Sequence, residues 1–311
     1  VSLYCSPTQL LLLVGSVSGQ QATVDEFKAI PLPEQSMING LITNKDTMTH
    51  FLQDVSQRFG PWNQDAILVL EGNNIRTKIM TLPAMKEAKL LPFVQQGFGE
   101  LGGSGGNGGN GGKGTDNDDV FDFAILGPNN VEGGIDVLGI AAGRLLLQNY
   151  IDSFTAGGFK LKRIDVGSNA LAKVASFIPS LQSDSNILVH VDDTALVITL
   201  FEQGVYRITQ RYRLLNPPQT EERNREVIGN ISSMVQFQRS QRRDISVNAI
   251  YILGLAVEQL AAFIEATRFL EIPVWGLSLD SQIRLTGKAN FEQESFVSSK
   301  YLYNIGAMIR R

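Results

Sequence analysis

Asn186-Ile-Leu-Val-His-Val-Asp-Asp-Thr-Ala-Leu-Val-Ile-Thr-Leu-Phe-Glu-Gln-Gly-Val-Tyr-Arg-Ile-Thr-Gln-Arg-Tyr-Arg213 is the stretch on which the fold turns. Two apolar runs, 186–191 and 195–201, are separated by a polar turn, and Glu202-Gln203-Gly204 leads into a third strand at 205–212. Strands this apolar are the mark of a sheet covered on both faces, and the tight turns make a meander. A long charged helix (about 220–239), a strand (249–253), a helix (257–267) and a strand (274–277) follow. The first half carries the same order. Leu3–Val17 and Gln21–Ile30 read as strands around Ser18-Gly19, and Ile30-Pro-Leu-Pro-Glu34 breaks the pattern. Next come a helix from Thr43 with Met48, Phe51, Leu52 and Val55 on one face, and a buried strand at 65–70. Meander followed by helix, twice over, places the chain among α/β folds.

Between these halves lies further material. A strand at 76–82 ends at Pro83, and a helix at 84–98 is interrupted by Pro92. Strands at 121–126 and 135–141, a helix at 145–155 stopped by Gly157-Gly158, a strand at 161–166 and a helix at 170–178 complete the first half. Gly102–Gly114 is the most biased segment. A phosphate-binding loop joins a strand to a helix and ends in Gly-Lys-Ser/Thr. Gly112-Lys113-Gly114-Thr115 lacks that ending, and an acidic stretch and a strand follow it. The segment therefore reads as a mobile surface loop.

Composition excludes several chemistries. The 311 residues allow two domains with sizeable cores, and a net charge of −4 offers no general attraction for nucleic acid. Cys5 is the single cysteine, and His50 and His190 are the only histidines. A cysteine-rich zinc site, an internal disulfide and a serine–histidine–aspartate triad are thereby disfavoured. The run from Leu10 to Val14 falls far short of the roughly 18–20 apolar residues that span a bilayer, so a soluble protein without a visible signal peptide is expected. Trp62 and Trp275 flank strands and are expected in the core. Arg211, Arg213, Arg223, Arg225, Arg239, Arg242 and Arg243 mix with Glu221, Glu222 and Glu226, which reads as a solvated face, the alternative being a partner surface.

Five segments together carry a family resemblance. They are Ile30–Asn44, with its proline break before Asn39-Gly40-Leu41-Ile42, and Thr77-Lys-Ile-Met-Thr-Leu-Pro-Ala-Met-Lys-Glu87. Gly139-Ile-Ala-Ala-Gly-Arg144 with Tyr150-Ile-Asp152, Lys162–Ala170 and Tyr303-Asn-Ile-Gly-Ala-Met-Ile309 are the others. In order and spacing these resemble PilM, the actin-like pilus assembly family, with its relatives FtsA, MshI and the cytoplasmic domain of GspL. The resemblance implies a duplicated, actin-like ribonuclease-H fold, with two similar domains around a cleft. The implied division is 1–178, with an inserted subdomain at about 77–160, and 179–311, whose last helix packs back on the first domain.

The family fold also implies where nucleotide chemistry would sit. Each domain of an actin-like ATPase supplies a hairpin with Asp-X-Gly, the carboxylate organising magnesium and the glycine admitting a phosphate. In the first hairpin Tyr4 stands at the aspartate place, Ser6 at the glycine place, and Pro7 removes an amide before Thr8. Counting back from Gly204 puts His190 and Asp192 at the corresponding places, before Asp193 and Thr194; a slip of two residues would instead make Asp192 the metal carboxylate. A carboxylate beside a phosphate costs about 4 kcal/mol at 4 Å and an effective dielectric of about 20. Of the expected adenosine-site glycines only Gly254 remains. The expected role is a cytoplasmic scaffold at the inner membrane, with weak or no Mg-ATP binding; the alternative is an active ATPase. The implied partner is the cytoplasmic tail of a PilN-like membrane protein. Its groove would lie near residues 30–45 and 77–100, making Ile38, Leu41, Leu82 and Met85 candidate contacts.

Overall fold

The computed structural model describes all residues except 63, 73, 100–117, 130–132, 193, 242–245, 292–295 and 311. The Gly-rich segment 102–114 thus lies outside the described residues. In chain order the strands and helices begin with β1 (Ser2–Cys5), β2 (Gln9–Ser18), β3 (Gln21–Pro31), β4 (Met37–Ile38), β5 (Leu41–Ile42) and α1 (Lys45–Phe59). Then come β6 (Ala66–Leu70), β7 (Ile75–Leu82), α2 (Leu91–Gly99), β8 (Asp119–Pro128), β9 (Ile135–Gly143), α3 (Arg144–Ala156), β10 (Leu161–Val166) and α4 (Gly167–Phe177). The remainder is β11 (Asn186–Val191), β12 (Ala195–Glu202), β13 (Val205–Arg213), α5 (Glu221–Gln241), β14 (Ala249–Leu253), α6 (Val257–Ala266), β15 (Val274–Gly276), β16 (Ile283–Leu285) and α7 (Leu302–Met308). Two compact units result: Val1–Leu12 with Lys28–Asn169, and Leu13–Phe27 with Ala170–Arg311.

The duplication is written in the sheets. One has the order β10-β6-β1-β2-β3, with β16 added beyond β3; the other has the order β15-β14-β11-β12-β13. In each, the first strand of the meander pairs in parallel with the strand after the helix, β1 with β6 and β11 with β14. All six residues of β11 and all eight of β12 are buried, which accounts for their unbroken apolar reading. On one face Ile187, Val189, Leu196 and Ile198 pack with Val227, Ile231 and Met234 of α5 and Phe263 of α6. Burial stabilises each such side chain by roughly 1.5–3 kcal/mol. The charged helix is held by this stripe, since its outward face is polar.

In the first unit, Asn44 caps α1 by accepting the Thr47 amide at 3.0 Å. Met48, Leu52 and Val55 of α1 are buried, while Phe51 is half-buried. Helix α3 lies against α1 so closely that a Cβ on Gly157 would sit 2.4 Å from the Leu52 Cβ. The small sheet β7-β9-β8 is covered by α2 through Met80, Leu82, Leu90, Val94, Phe98 and Val137. Gly139 of β9 permits this approach, because a Cβ there would lie 2.8 Å from the Met80 methyl and 3.1 Å from the Phe98 ring.

Several expectations need correction. The helix expected over 84–98 begins at Leu91, with a short helical turn at 87–89 before it, so Pro92 lies in its first turn. Proline lacks only an amide that the first turn leaves unbonded anyway. β16 escapes notice because a three-residue strand shows no periodicity, and the two-residue strands β4 and β5 are marked only by the turn residues between them. Trp62 stacks on Phe159 at 5.6 Å, but Trp275 is 57% exposed at the edge strand β15 and is not a core residue. No helix among the described residues is long and apolar enough to cross a membrane.

Within the second unit α7 crosses α4 with Gly306 against the Ala170 backbone, where a Cβ would meet the carbonyl oxygen at 2.4 Å. Lys173 of α4 also donates to the Ala307 carbonyl at 3.3 Å. Two helix glycines should therefore respond oppositely to alanine. Gly229 of α5 is exposed with nothing near its missing Cβ, so Gly229→Ala should stabilise by about 0.5–1 kcal/mol. Gly306→Ala should destabilise by about 1–3 kcal/mol, because a backbone contact cannot yield as a side chain can. Denaturant melts of both variants check the pair; a stabilised Gly306→Ala would refute the packing account.

Candidate functional site

The two units carry the same turn at the same place. After β1, the Ser6 amide donates to the Gln9 carbonyl at 2.9 Å; after β11, the Asp192 amide donates to the Ala195 carbonyl at 2.8 Å. These bonds align Ser6 with Asp192 and Thr8 with Thr194, and two residues earlier they align Tyr4 with His190. Tyr4 lies beside Val69 of β6, and His190 beside Leu253 of β14. Asp193 lies outside the described residues.

The first turn spends its amides on itself. The Ser6 hydroxyl oxygen accepts from the Gln9 amide at 2.9 Å and from the Thr8 amide at 3.4 Å, and it donates to the Gln9 carbonyl at 3.0 Å. Pro7 has no amide to offer. Beneath the turn, Tyr4 is buried and donates its hydroxyl to the Glu71 carboxylate at 3.0 Å. Cys5 next to it is fully enclosed, and burial pushes its thiol up to about 12, so it stays a neutral packing group.

The second turn is clamped from below. Arg223, only 4% exposed, donates through one guanidinium nitrogen to the Asp192 carbonyl and through the other to the Asn216 carbonyl at 2.8 Å. This corrects the expectation that Arg223 belongs to a solvated face. Arg211, Arg213, Arg225 and Arg239 are exposed, while Arg242 and Arg243 lie outside the described residues. The Glu226 carboxylate fixes the adjoining loop by accepting from the Leu215 amide at 3.1 Å, the Asn216 amide at 3.3 Å and the Asn216 side chain at 3.0 Å. The Thr194 carbonyl accepts from the Leu214 amide at 3.0 Å. Gly254 has φ +96°, and a Cβ there would lie 2.0 Å from the Val191 carbonyl oxygen, so close strand approach alone demands glycine.

His190 is 4% exposed, its ring 6.4 Å from that of Tyr303, whose hydroxyl accepts from Arg211 at 3.5 Å. Burial lowers the His190 pKa below its ordinary value, outweighing the nearby Asp192 charge and a hydrogen bond with the Ser299 backbone. Among the described residues no three potential ligands gather into a metal site.

The candidate partner contacts separate into two pairs. Ile38 and Leu41 face each other across the β4–β5 hairpin and are 54% and 41% exposed. Asn39 and Gly40 between them have φ +51° and +77°, the two left-handed residues of a type I′ turn. The sequence signal for this hairpin, Asn-Gly between apolar residues, was available. Tyr150 of α3 pins the turn by donating to the Gly40 carbonyl at 3.0 Å. Leu82, by contrast, is 9% exposed within the subdomain core, where Met85 packs on the same cluster. A groove of about 340 Å³ opens between β7 and α2, lined by Lys78–Leu82, Phe93, Gln96 and Gly97.

The buried histidine makes a pH prediction. Its folded pKa lies below the unfolded value of about 6.5, so the unfolded chain binds the proton first as pH falls. Stability is therefore full above about pH 6.5 and declines below it, by up to about 1.4 kcal/mol per pH unit. His190→Gln should flatten the slope between pH 6.5 and 5 in chemical denaturation. An unchanged slope would show that His190 is not the responsible group.

No protein-family profile matches the chain, and no curated protein matches it. Solved structures do. The PilM–PilN type IV pilus biogenesis complex superposes with a TM-score of 0.74 at 14% identity, over 98% of this chain and 96% of that one. A Bacteroides thetaiotaomicron protein of actin-like ATPase fold and unknown function gives 0.50 at 11% identity, over 90% and 93%. The cytoplasmic domain of EpsL, an inner-membrane component of the Vibrio cholerae type II secretion system, gives 0.46 at 12%, over 99% and 93%. With the two sheets of one order, the likenesses to the PilM–PilN complex and to the Bacteroides thetaiotaomicron protein establish that the chain has the duplicated α/β architecture of the actin-like fold.

Proposed function

We propose that the chain is a non-catalytic scaffold of a type IV pilus or type II secretion assembly platform. In this reading it holds the cytoplasmic tail of a PilN-like inner-membrane protein and is peripheral to that membrane through its partner. The observation that carries the proposal is the first turn, whose Thr8 and Gln9 amides already bond the Ser6 hydroxyl. A phosphate would have to break those bonds, and Tyr4 in place of a carboxylate offers magnesium no ligand. The second turn adds the Asp192 charge where a phosphate would approach and an arginine clamp on its backbone. These residues do not fit Mg-ATP. Support for the partner comes from the full-length likeness to a structure solved as PilM with PilN. The exposed Ile38 and Leu41, on a hairpin pinned by buried Tyr150, supply a rigid apolar surface for a short tail.

Millimolar Mg-ATP should leave the melting temperature unchanged, because only a ligand of the native state raises it. A low-micromolar dissociation constant, lost in Asp192→Ala, would establish the ATPase reading instead. For the partner, the double variant Ile38→Ser/Leu41→Ser should weaken a synthetic PilN-like tail by about tenfold or more, about 1.4 kcal/mol, in fluorescence anisotropy. Unchanged affinity would remove the hairpin from the interface.

A further inference from the structure

The two main sheets end differently on the side of their third strand. β3 and β13 hold the same place, each the last strand of its meander. The edge of β3 is covered, because β16 lies parallel to it with Ile283, Arg284 and Leu285 beside Ala22, Thr23 and Val24. β13 has β12 as its only neighbour among the described strands. One irregularity falls between Tyr206 and Ile208, and from Ile208 to Arg213 the pairing with β12 runs in unbroken register. Such an edge presents a row of backbone donors and acceptors that a further strand can use. The opposite edges of the same two sheets offer less, β10 being shifted in register and β15 only three residues long.

The two faces of the β13 edge differ in chemistry. Ile208 and Tyr212 are half-buried on the helix side, packed against the core that α5 and α6 cover. Thr209, Arg211 and Arg213 alternate with them on the other side, where Thr209 meets the Thr199 hydroxyl at 2.9 Å and Arg211 reaches Tyr303 of α7. Arg211 and Arg213 are exposed. Charge along the strand has one sign, since Val205–Arg213 holds three arginines and no acidic residue. The Glu202 carboxylate pairs with Arg207 at 3.0 Å, at the end of the strand away from Arg213. At the covered edge the signs are exchanged. β3 carries Asp25 and Glu26, and the segment that covers it brings Arg284 and Lys288, the latter 3.3 Å from Glu26. A second copy adding through its own β13 would set arginines against arginines, which disfavours pairing.

We propose that the edge of β13 accepts, as an added strand, an extended segment of a partner protein in which apolar and acidic residues alternate. The apolar side chains extend the core over Ile208 and Tyr212. The carboxylates lie on the opposite face beside Arg211 and Arg213, whose guanidinium groups each carry five donors. This surface belongs to the second unit, shares no residue with the Ile38–Leu41 hairpin or the groove between β7 and α2, and stands whether or not a PilN-like tail binds the chain.

The test is selection of a displayed random dodecapeptide library against the full chain, followed by synthetic peptides of the enriched sequences. Expected are peptides in which Asp or Glu alternates with apolar residues. Their binding should slow amide exchange within 208–213 and leave 161–166 unchanged. Arg211→Glu/Arg213→Glu should weaken binding about tenfold in anisotropy at an unchanged melting temperature. Arg213→Glu alone should weaken it about threefold, and it decides the matter if the double variant melts lower. Arg225→Glu, at an exposed position of α5, should change binding less than about twofold. Ile38→Ser/Leu41→Ser should likewise leave it within about twofold, which separates this surface from the tail site. The proposal is overturned by a library that yields no alternating acidic binder, by protection elsewhere than 208–213, or by undiminished binding to the charge-reversed variants. Self-association that protects the same amides without peptide would also overturn it, in favour of a second copy.

Discussion

The central strands β11 and β12 have no exposed residue, and a strand with two buried faces must be covered on both. That constraint organises the second unit. Helices α5 and α6 cover one face through Val227, Ile231, Met234 and Phe263. On the other face His190 meets Tyr303 of α7. Parallel pairing of β11 with β14 then follows, because the chain must return through a helix before a strand can lie beside the first in the same sense. The first sheet repeats the solution with β1 and β6.

A meander entering such a sheet leaves one tight turn at the end of its first strand. In both units the closing amide-to-carbonyl bond is the same, at 2.9 and 2.8 Å, while the residues of the turn differ. Ser6 closes its turn with a hydroxyl, whereas Asp192 is held through its carbonyl by Arg223. The two turns thus share one backbone geometry and differ in their side-chain chemistry. Arginine suits the second task because its planar fork bonds two carbonyls at once.

The inserted sheet obeys a looser rule. Among the described residues it is covered by helix α2 and keeps its own small core, so its strands are free to differ at their edges. β8 is irregular where β7 is regular, and the groove lies on the regular side. Close packing there depends on Gly97 and Gly139, whose missing side chains let Met80 fill the interface.

The sequence by itself determined the elements that are buried on both faces or amphipathic. Strands 161–166, 186–191 and 249–253 were legible to the residue, and the duplicated order followed from them. Hydrophobic periodicity is a local property, and turn residues bound it sharply. The places of the turn residues were legible too, since Gly204 sets a count back to His190 and Asp192. Tertiary structure alone decided which polar groups satisfy one another. Arg223 reads as one more charge on a helix until its distance to the Asp192 carbonyl shows what it holds. Trp275 reads as core until β15 proves to be an edge strand. Burial depends on what the rest of the chain brings alongside, and residue type and spacing do not contain that information.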